Sequence, residues 1–314
     1  MTRFVPALLA ILLIPLGALA CGGEATPPVA EDAAATDAAP AEPAVSSDPE
    51  GADLNDPGAQ RVEPFQIFDN LYYIGIQWVS CYLLVTTDGL ILIDSLYGDH
   101  IDTAIDGIRA VGHDPADLKY VLVSHGHFDH VGGAARFQET YGARVGMTAA
   151  DWELAEVPPE NPDWEIDVPV HDMVIADGDT LELGDTELRF YVTPGHTEGV
   201  LSMEFPVRDD GEEHRAFLFG GVGLNFEGVH RTNLYLDSVA RIRRLAAEEG
   251  NPIDVNLSNH ASMGRIFERA EQLASRAEGD PHPFVDPEGY VAWLAELQRN
   301  AEEKLVVERE LAGE

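Results

Sequence analysis

The chain has 314 residues, and its 56 acidic residues against 19 basic ones give a net charge of −37. That balance argues against a nucleic-acid partner, since phosphate recognition needs clustered positive charge, and against direct adsorption to anionic lipid. Two cysteines exclude a disulfide scaffold and a Cys-rich zinc module, while 45% hydrophobic residues suffice for a sizeable core.

The N-terminus reads as an address. Arg3 is the only base before Arg61, and residues 4–19 are almost wholly apolar. This run is too short for the ~20 residues of a membrane-spanning helix, and its charged start and small-residue exit suit a secretory signal over residues 1–20. The exit, Ala18-Leu19-Ala20-Cys21-Gly22-Gly23, resembles a bacterial lipoprotein box, in which Cys21 becomes the lipidated first residue. Ala18-x-Ala20 equally suits an ordinary signal peptidase, which leaves Cys21 as an incidental thiol. Either way the expectation is export, as a membrane-anchored lipoprotein facing the periplasm or the outer surface. Residues 22–60 carry nine acids, six prolines and no base. They cannot bury enough apolar surface to offset their conformational entropy, so 21–61 is expected to be an acidic, disordered tether.

From residue 62 the texture is globular. Phe65–Phe68 and Leu71–Ile74 flank Asp69-Asn70, a hairpin signal, and Cys81–Thr86 and Leu90–Asp94 form a second hairpin about Thr87-Asp88-Gly89. A helix fits 98–111, with Ile101, Ile105 and Ile108 on one face. Tyr120–Val123 is a continuous apolar run, as in a strand covered on both faces. A helix over 131–141 and a strand at Arg144–Met147 follow. Strands fit 180–183, 187–192, 200–206 and 215–219; a helix fits 235–249, with Val239, Ile242 and Leu245 inward. A strand at Asp254–Leu257, a helix over 263–276 and a last helix opening at Asp286-Pro287 complete the order. The last helix has Tyr290, Leu294, Leu297, Ala301 and Leu305 on one face. The halves repeat the same coarse order, which suggests two packed sheets with helices outside.

The strongest chemical signal is Ser124-His125-Gly126-His127-Phe128-Asp129-His130, directly after the Tyr120–Val123 strand. Four metal-competent side chains at a strand's end can converge on one point, and imidazole with carboxylate suits zinc. With Leu92-Ile93-Asp94, Pro194-Gly195-His196-Thr197 and Leu257-Ser258-Asn259-His260, the chain from 65 to 314 resembles the metallo-β-lactamase superfamily and its H-x-H-x-D-H signature.

The resemblance implies an α/β fold, an αββα sandwich of two mixed β-sheets with outer helices, over a hydrolase domain spanning 62–314. It implies two zinc ions per chain, one on His125, His127 and His196 and the other on Asp129, His130 and His260. Many relatives carry an aspartate bridging both metals; Gly221 stands at that place here, and no cysteine replaces it. That is the subclass B3 pattern, and residues 281–290 also look like B3 relatives. Such enzymes place serines near this loop to hold the substrate carboxylate, whereas this chain has Gly221 and Gly223.

The implied function is a secreted hydrolase that opens a cyclic amide, foremost a β-lactam, through metal-activated water. Asp129 would both ligate and orient the nucleophile, so no serine, cysteine or lysine nucleophile is needed. A lactonase or other esterase is the alternative, and a non-catalytic binding lipoprotein is a third reading. The partner is a small-molecule substrate; membrane contact comes only through the anchor. Asp94 is expected to fix a histidine tautomer or to cap a turn, with Thr197 and Asn259 in similar supporting places. Gln77, Trp78, Gly221, Gly223 and Asn225 are the candidates for substrate contact. Trp152 and Trp164 either wall the pocket or, for Trp152, sit in the core, and Cys81 is expected to be buried and inert. The remaining histidines, His100, His113, His171, His214, His230 and His282, read as surface or loop.

Overall fold

A computed structural model of the chain describes residues 53–159 and 161–313. The signal segment, Cys21 and the tether as far as residue 52 lie outside the described residues. The first sheet has seven strands in spatial order: β1 Phe65–Phe68, β2 Leu71–Tyr73, β3 Tyr82–Thr86, β4 Gly89–Ile93, β5 Leu118–Leu122, β6 Arg144–Met147 and β7 Met173–Val174. Pairing is antiparallel from β1 to β4 and parallel from β4 to β7. The second sheet has five: β8 Thr180–Leu183, β9 Thr186–Val192, β10 Leu201–Asp209, β11 Glu212–Phe219 and β12 Val255–Ser258. It is antiparallel except for the β11–β12 pair.

The continuous apolar runs resolve into two faces, because successive side chains along a strand point opposite ways. In β4, Ile91 and Ile93 point between the sheets, where they join Leu122, Phe190, Met203 and Leu218. Leu90 and Leu92 point outward onto Ile101, Ile105, Ile108, Phe137 and Trp152. These outer residues come from α1 His100–Ala110, α3 Ala134–Tyr141 and α4 Ala149–Ala155. In β11, Ala216 and Leu218 face inward, while Phe217 and Phe219 meet Tyr235, Val239, Ile242 and Tyr290. The last group sits on α5 Val229–Ala246 and α7 Pro287–Ala312. The result is helices, sheet, sheet, helices, the αββα layering expected from the sequence. Among the described residues the remaining α-helices are α2 Phe128–Val131 and α6 Ile266–Ala274, with single 3₁₀ turns at Pro115–Asp117 and Pro162–Trp164.

Several boundaries move. The helix expected at 235–249 begins at Val229, because its first turn (His230, Arg231, Thr232) carries no apolar period. The strands expected at 200–206 and 215–219 run on to meet at Asp210-Gly211, a hairpin turn with both residues at positive φ, 50° and 83°. The tether is shorter than expected: Asp53–Gln60 folds back onto the body, and Gln60 is fully buried. Among the histidines expected at the surface, His100 and His282 are buried. Each sets its Nε2 near a backbone carbonyl, that of Leu54 (2.8 Å) and of Ile67 (2.9 Å) respectively. Trp152 is a core residue whose Nε1 donates to the Met173 carbonyl, and Cys81 is buried.

Candidate metal centre

The loops after β4, β5, β9, β11 and β12 meet at one edge of the sandwich. In open α/β sheets the carboxyl ends of parallel strands are the place where ligands gather. His125, His127, Asp129 and His130 follow β5, His196 follows β9, and His260 follows β12. The turn between His125 and His127 needs glycine: a Cβ on Gly126 would lie 2.5 Å from the Asp151 carbonyl oxygen.

All six side chains come together. His125, His127 and His196 present ring nitrogens within 4.8 Å of one another, and so do His125, Asp129 and His130 with their ligand atoms. His127 Nδ1 is 3.1 Å from His196 Nε2. His260 takes its place through His130, Nε2 to Nε2 at 3.3 Å, with Asp129 Oδ2 at 3.1 Å from His130 Nε2 and 3.7 Å from His260 Nε2. His125 thus stands in both groups, between the two sets that the resemblance implied.

The outward ring nitrogens are tied down. Nδ1 of His125 donates to the Gly220 carbonyl (2.9 Å), that of His196 to Gly223 (3.0 Å) and that of His260 to Trp78 (3.0 Å). A carbonyl can only accept, so each of these rings carries its hydrogen on Nδ1 and leaves an Nε2 lone pair facing inward. His130 is held likewise by Asp94, with Nδ1 2.9 Å from Oδ2. His125 Nε2 is buried and has no hydrogen-bond partner. An inward lone pair without a donor is what a cation satisfies, so this donor set fits a metal.

The electrostatics agree for His125, His196 and His260. Burial, then the charges of neighbouring rings, hold His125 and His196 well below the ordinary histidine range; the same causes bring His260 to about 4. These rings are neutral at pH 7, the form that ligates. Burial opposes charge on His130, but Asp129 and Asp94 outweigh it and lift the ring to about 10, so a metal bound here has to displace its proton. Burial likewise opposes ionisation of Asp129, and His130 and His260 overcome it, holding the carboxyl below its usual range.

Asp94 is 1% exposed and serves as an anchor. It accepts from the Ser124 amide (2.7 Å) and hydroxyl (2.9 Å) as well as from His130, so it orients a histidine and pins the start of the ligand loop. Asn259 donates to the Gly220 carbonyl (3.0 Å), the oxygen that also holds His125. Thr197 reaches a residue the sequence reading missed: its hydroxyl donates to Asp151 Oδ2 at 3.1 Å. Asp151 is buried; desolvation lifts its carboxyl to about 7, with the Thr197 hydrogen bond pulling the other way. Arg231 was also missed, and it donates to the Gly195 and His196 carbonyls. Nothing local marks Asp151 or Arg231, since their partners are brought to them only by the fold.

The substrate-contact candidates divide. Trp78 lies beside His260, ring centroids 5.5 Å apart, and 6.2 Å from Phe128, on which Trp164 stacks at 4.6 Å. Gln77 and Asn225 are exposed. Gly221 and Gly223 are buried beside His196. Gly223 acts through its carbonyl, and a Cβ on Gly221 would fall 2.6 Å from Val200 Cγ2 and 2.9 Å from His196 Cβ.

Residues 78–210 match the family model of the metallo-beta-lactamase superfamily. Among solved structures, BJP-1, a subclass B3 metallo-beta-lactamase of Bradyrhizobium japonicum, superposes with a TM-score of 0.72 at 28% identity, over 81% of this chain and 97% of that one. Native FEZ-1 from Legionella gormanii gives 0.72 at 26% identity, over 80% and 98%. In sequence, a hydroxyacylglutathione hydrolase of Acidiphilium cryptum is 33% identical over 127 residues, which are 40% of this chain and 45% of that protein. The chain therefore spans less than half the length of that relative. An N-acyl homoserine lactonase of a Bacillus species is 27% identical over 199 residues, 54% of this chain and 77% of that protein. By the family match over residues 78–210, the sandwich topology and the histidine cluster, this chain carries a metallo-beta-lactamase superfamily domain.

Proposed function

We propose that the chain is an exported, zinc-dependent hydrolase that opens the ring of a β-lactam, in the manner of subclass B3 enzymes. The observation that carries this reading is the inward-facing cluster, with His125 Nε2 buried and unpartnered and with glycine at 221 where an acid or thiol could have bridged. His125, His127 and His196 would hold one zinc, and Asp129, His130 and His260 the other. Zinc bound there supplies an activated water at neutral pH and a Lewis acid for the scissile carbonyl.

The chain's own contribution is to keep its rings neutral and aimed. Burial keeps His125 and His196 unprotonated, and the Gly220 and Gly223 carbonyls fix which nitrogen faces inward. Asp129 Oδ2, facing His130 and His260, would accept a hydrogen from the attacking water and so orient it. Trp78, Phe128 and Trp164 form an apolar flank that would pack the substrate and exclude water.

A lactonase is the second reading. It is favoured by the absence of side chains at Gly221 and Gly223, where B3 enzymes usually place serines that help hold a carboxylate, and by the likeness to the homoserine lactonase. Purified protein with zinc should hydrolyse a cephalosporin faster than a homoserine lactone. The reverse order would assign the lactonase, and hydrolysis of neither would leave a binding lipoprotein.

Export and a lipid anchor on Cys21 complete the proposal, motivated by the Ala20-Cys21 junction and the acidic stretch behind it. Cys21→Ser should then move the protein from the membrane to the soluble fraction. Equal membrane retention of parent and variant would remove the anchor.

A further inference from the structure

The segment Asp53–Gln60, acidic and poor in apolar residues, nevertheless docks beside the metal cluster. It closes on itself, with Gln60 N donating to the Asp56 carbonyl (3.0 Å) and Gln60 Nε2 to that of Asp53 (3.4 Å). Two contacts tie it to the turn at Gln77-Trp78. The Gln60 carbonyl accepts from Gln77 N (2.9 Å), and Gln60 Oε1 accepts from Trp78 N (3.1 Å). At the segment's other end, the Leu54 carbonyl accepts from Tyr97 Oη (2.5 Å), whose ring stands edge-on to Trp78 at 5.9 Å.

The Trp78 peptide is therefore held from one side and holds on the other. Its N–H is taken by Gln60, and its carbonyl takes Nδ1–H of His260 at 3.0 Å. Val79 pairs with His260 in an antiparallel bridge, and Ser80 N donates to the Asn259 carbonyl (2.9 Å). Gln60 is fully buried, so water cannot replace its oxygen at Trp78 without the segment lifting.

We propose that Asp53–Gln60 is a strap that completes the metal centre, and that Gln60 is a positioning residue: by fixing the Trp78 peptide it aims His260 Nε2 inward and sets the affinity of the second metal site. The inference rests on the reading that His260 holds that metal. Groups that orient a ligand in this way are worth roughly 10–100-fold in metal affinity.

The test uses the full chain loaded with zinc, dialysed against stepped concentrations of chelator, with metal content measured at each step. Gln60→Met keeps the volume and removes the acceptor; Gln60→Glu restores an oxygen acceptor for Trp78 N–H; His260→Ala is the reference. Gln60→Met should release the second zinc at roughly 10–100-fold lower chelator strength with the first zinc unmoved. Gln60→Glu should recover much of that loss. In the cobalt-substituted protein, Gln60→Met should change the visible spectrum of the second site alone. Parent-like release from Gln60→Met, or equal weakening of both sites, overturns the strap while His260→Ala still loses its second metal. If His260→Ala keeps both metals, the assignment of His260 fails first.

Discussion

Asp94→Ala is expected to lose on the order of 3–5 kcal/mol of stability, the usual result of removing one partner from a buried charged contact. Asp94 is nearly inaccessible and accepts from Ser124 N, Ser124 Oγ and His130 Nδ1. Alanine would strand the Ser124 amide and free the His130 ring to turn. Asp94 also has a φ of 59°, a conformation that Asp and Asn tolerate better than alanine does. Asp94→Asn should consequently lose less, since it keeps an oxygen acceptor and the backbone preference, while its amide nitrogen is set against a donor. Urea unfolding of metal-free protein reads the difference as a shift in midpoint at constant slope. A loss below about 1 kcal/mol for alanine would show that these hydrogen bonds do not hold the loop.

His260→Ala should empty the second metal site and leave the first filled. Its ring reaches the cluster from β12, with Nε2 3.3 Å from His130 Nε2 and 3.7 Å from Asp129 Oδ2. With glycine at 221 there is no bridging carboxylate or thiolate to compensate. On the proposed reading, His125, His127 and His196 would still hold a metal able to polarise a carbonyl, but the departing amide nitrogen would lose its stabilising partner. That interaction acts mainly in the transition state, so turnover should fall by at least about 10²-fold with KM changed much less. A variant with normal turnover and full metal content would remove His260 from the ligand set, and with it the B3 assignment.

Much of the layering was legible because Leu90–Ile93, Tyr120–Val123 and Ala216–Phe219 are apolar without interruption, as stretches of strand covered on both faces are. The cluster was legible because its members stand in short motifs at strand ends: Ser124–His130 after β5, Pro194–Thr197 after β9 and Asn259-His260 after β12. What escaped the sequence has a common cause. Gly220, Gly223 and Trp78 act through carbonyl oxygens, which carry no side-chain signature, and Asp151 and Gln60 find their partners only across the fold. The end of the tether was misread because composition reports apolar burial alone. Asp53–Gln60 is held largely by hydrogen bonds to backbone groups of the body. His100 and His282 were misplaced for the same reason: each is buried beside a carbonyl contributed by a distant segment.

The central claim is that hydrolysis runs through metal held by the six-residue cluster. It is tested most directly by measuring zinc content and cephalosporin hydrolysis on one preparation of the full chain, before chelation, after it, and after zinc is returned. The account predicts about two zinc ions per chain at the start, hydrolysis lost with the metal, and hydrolysis regained with it. Full hydrolysis by protein shown to be metal-free would contradict it.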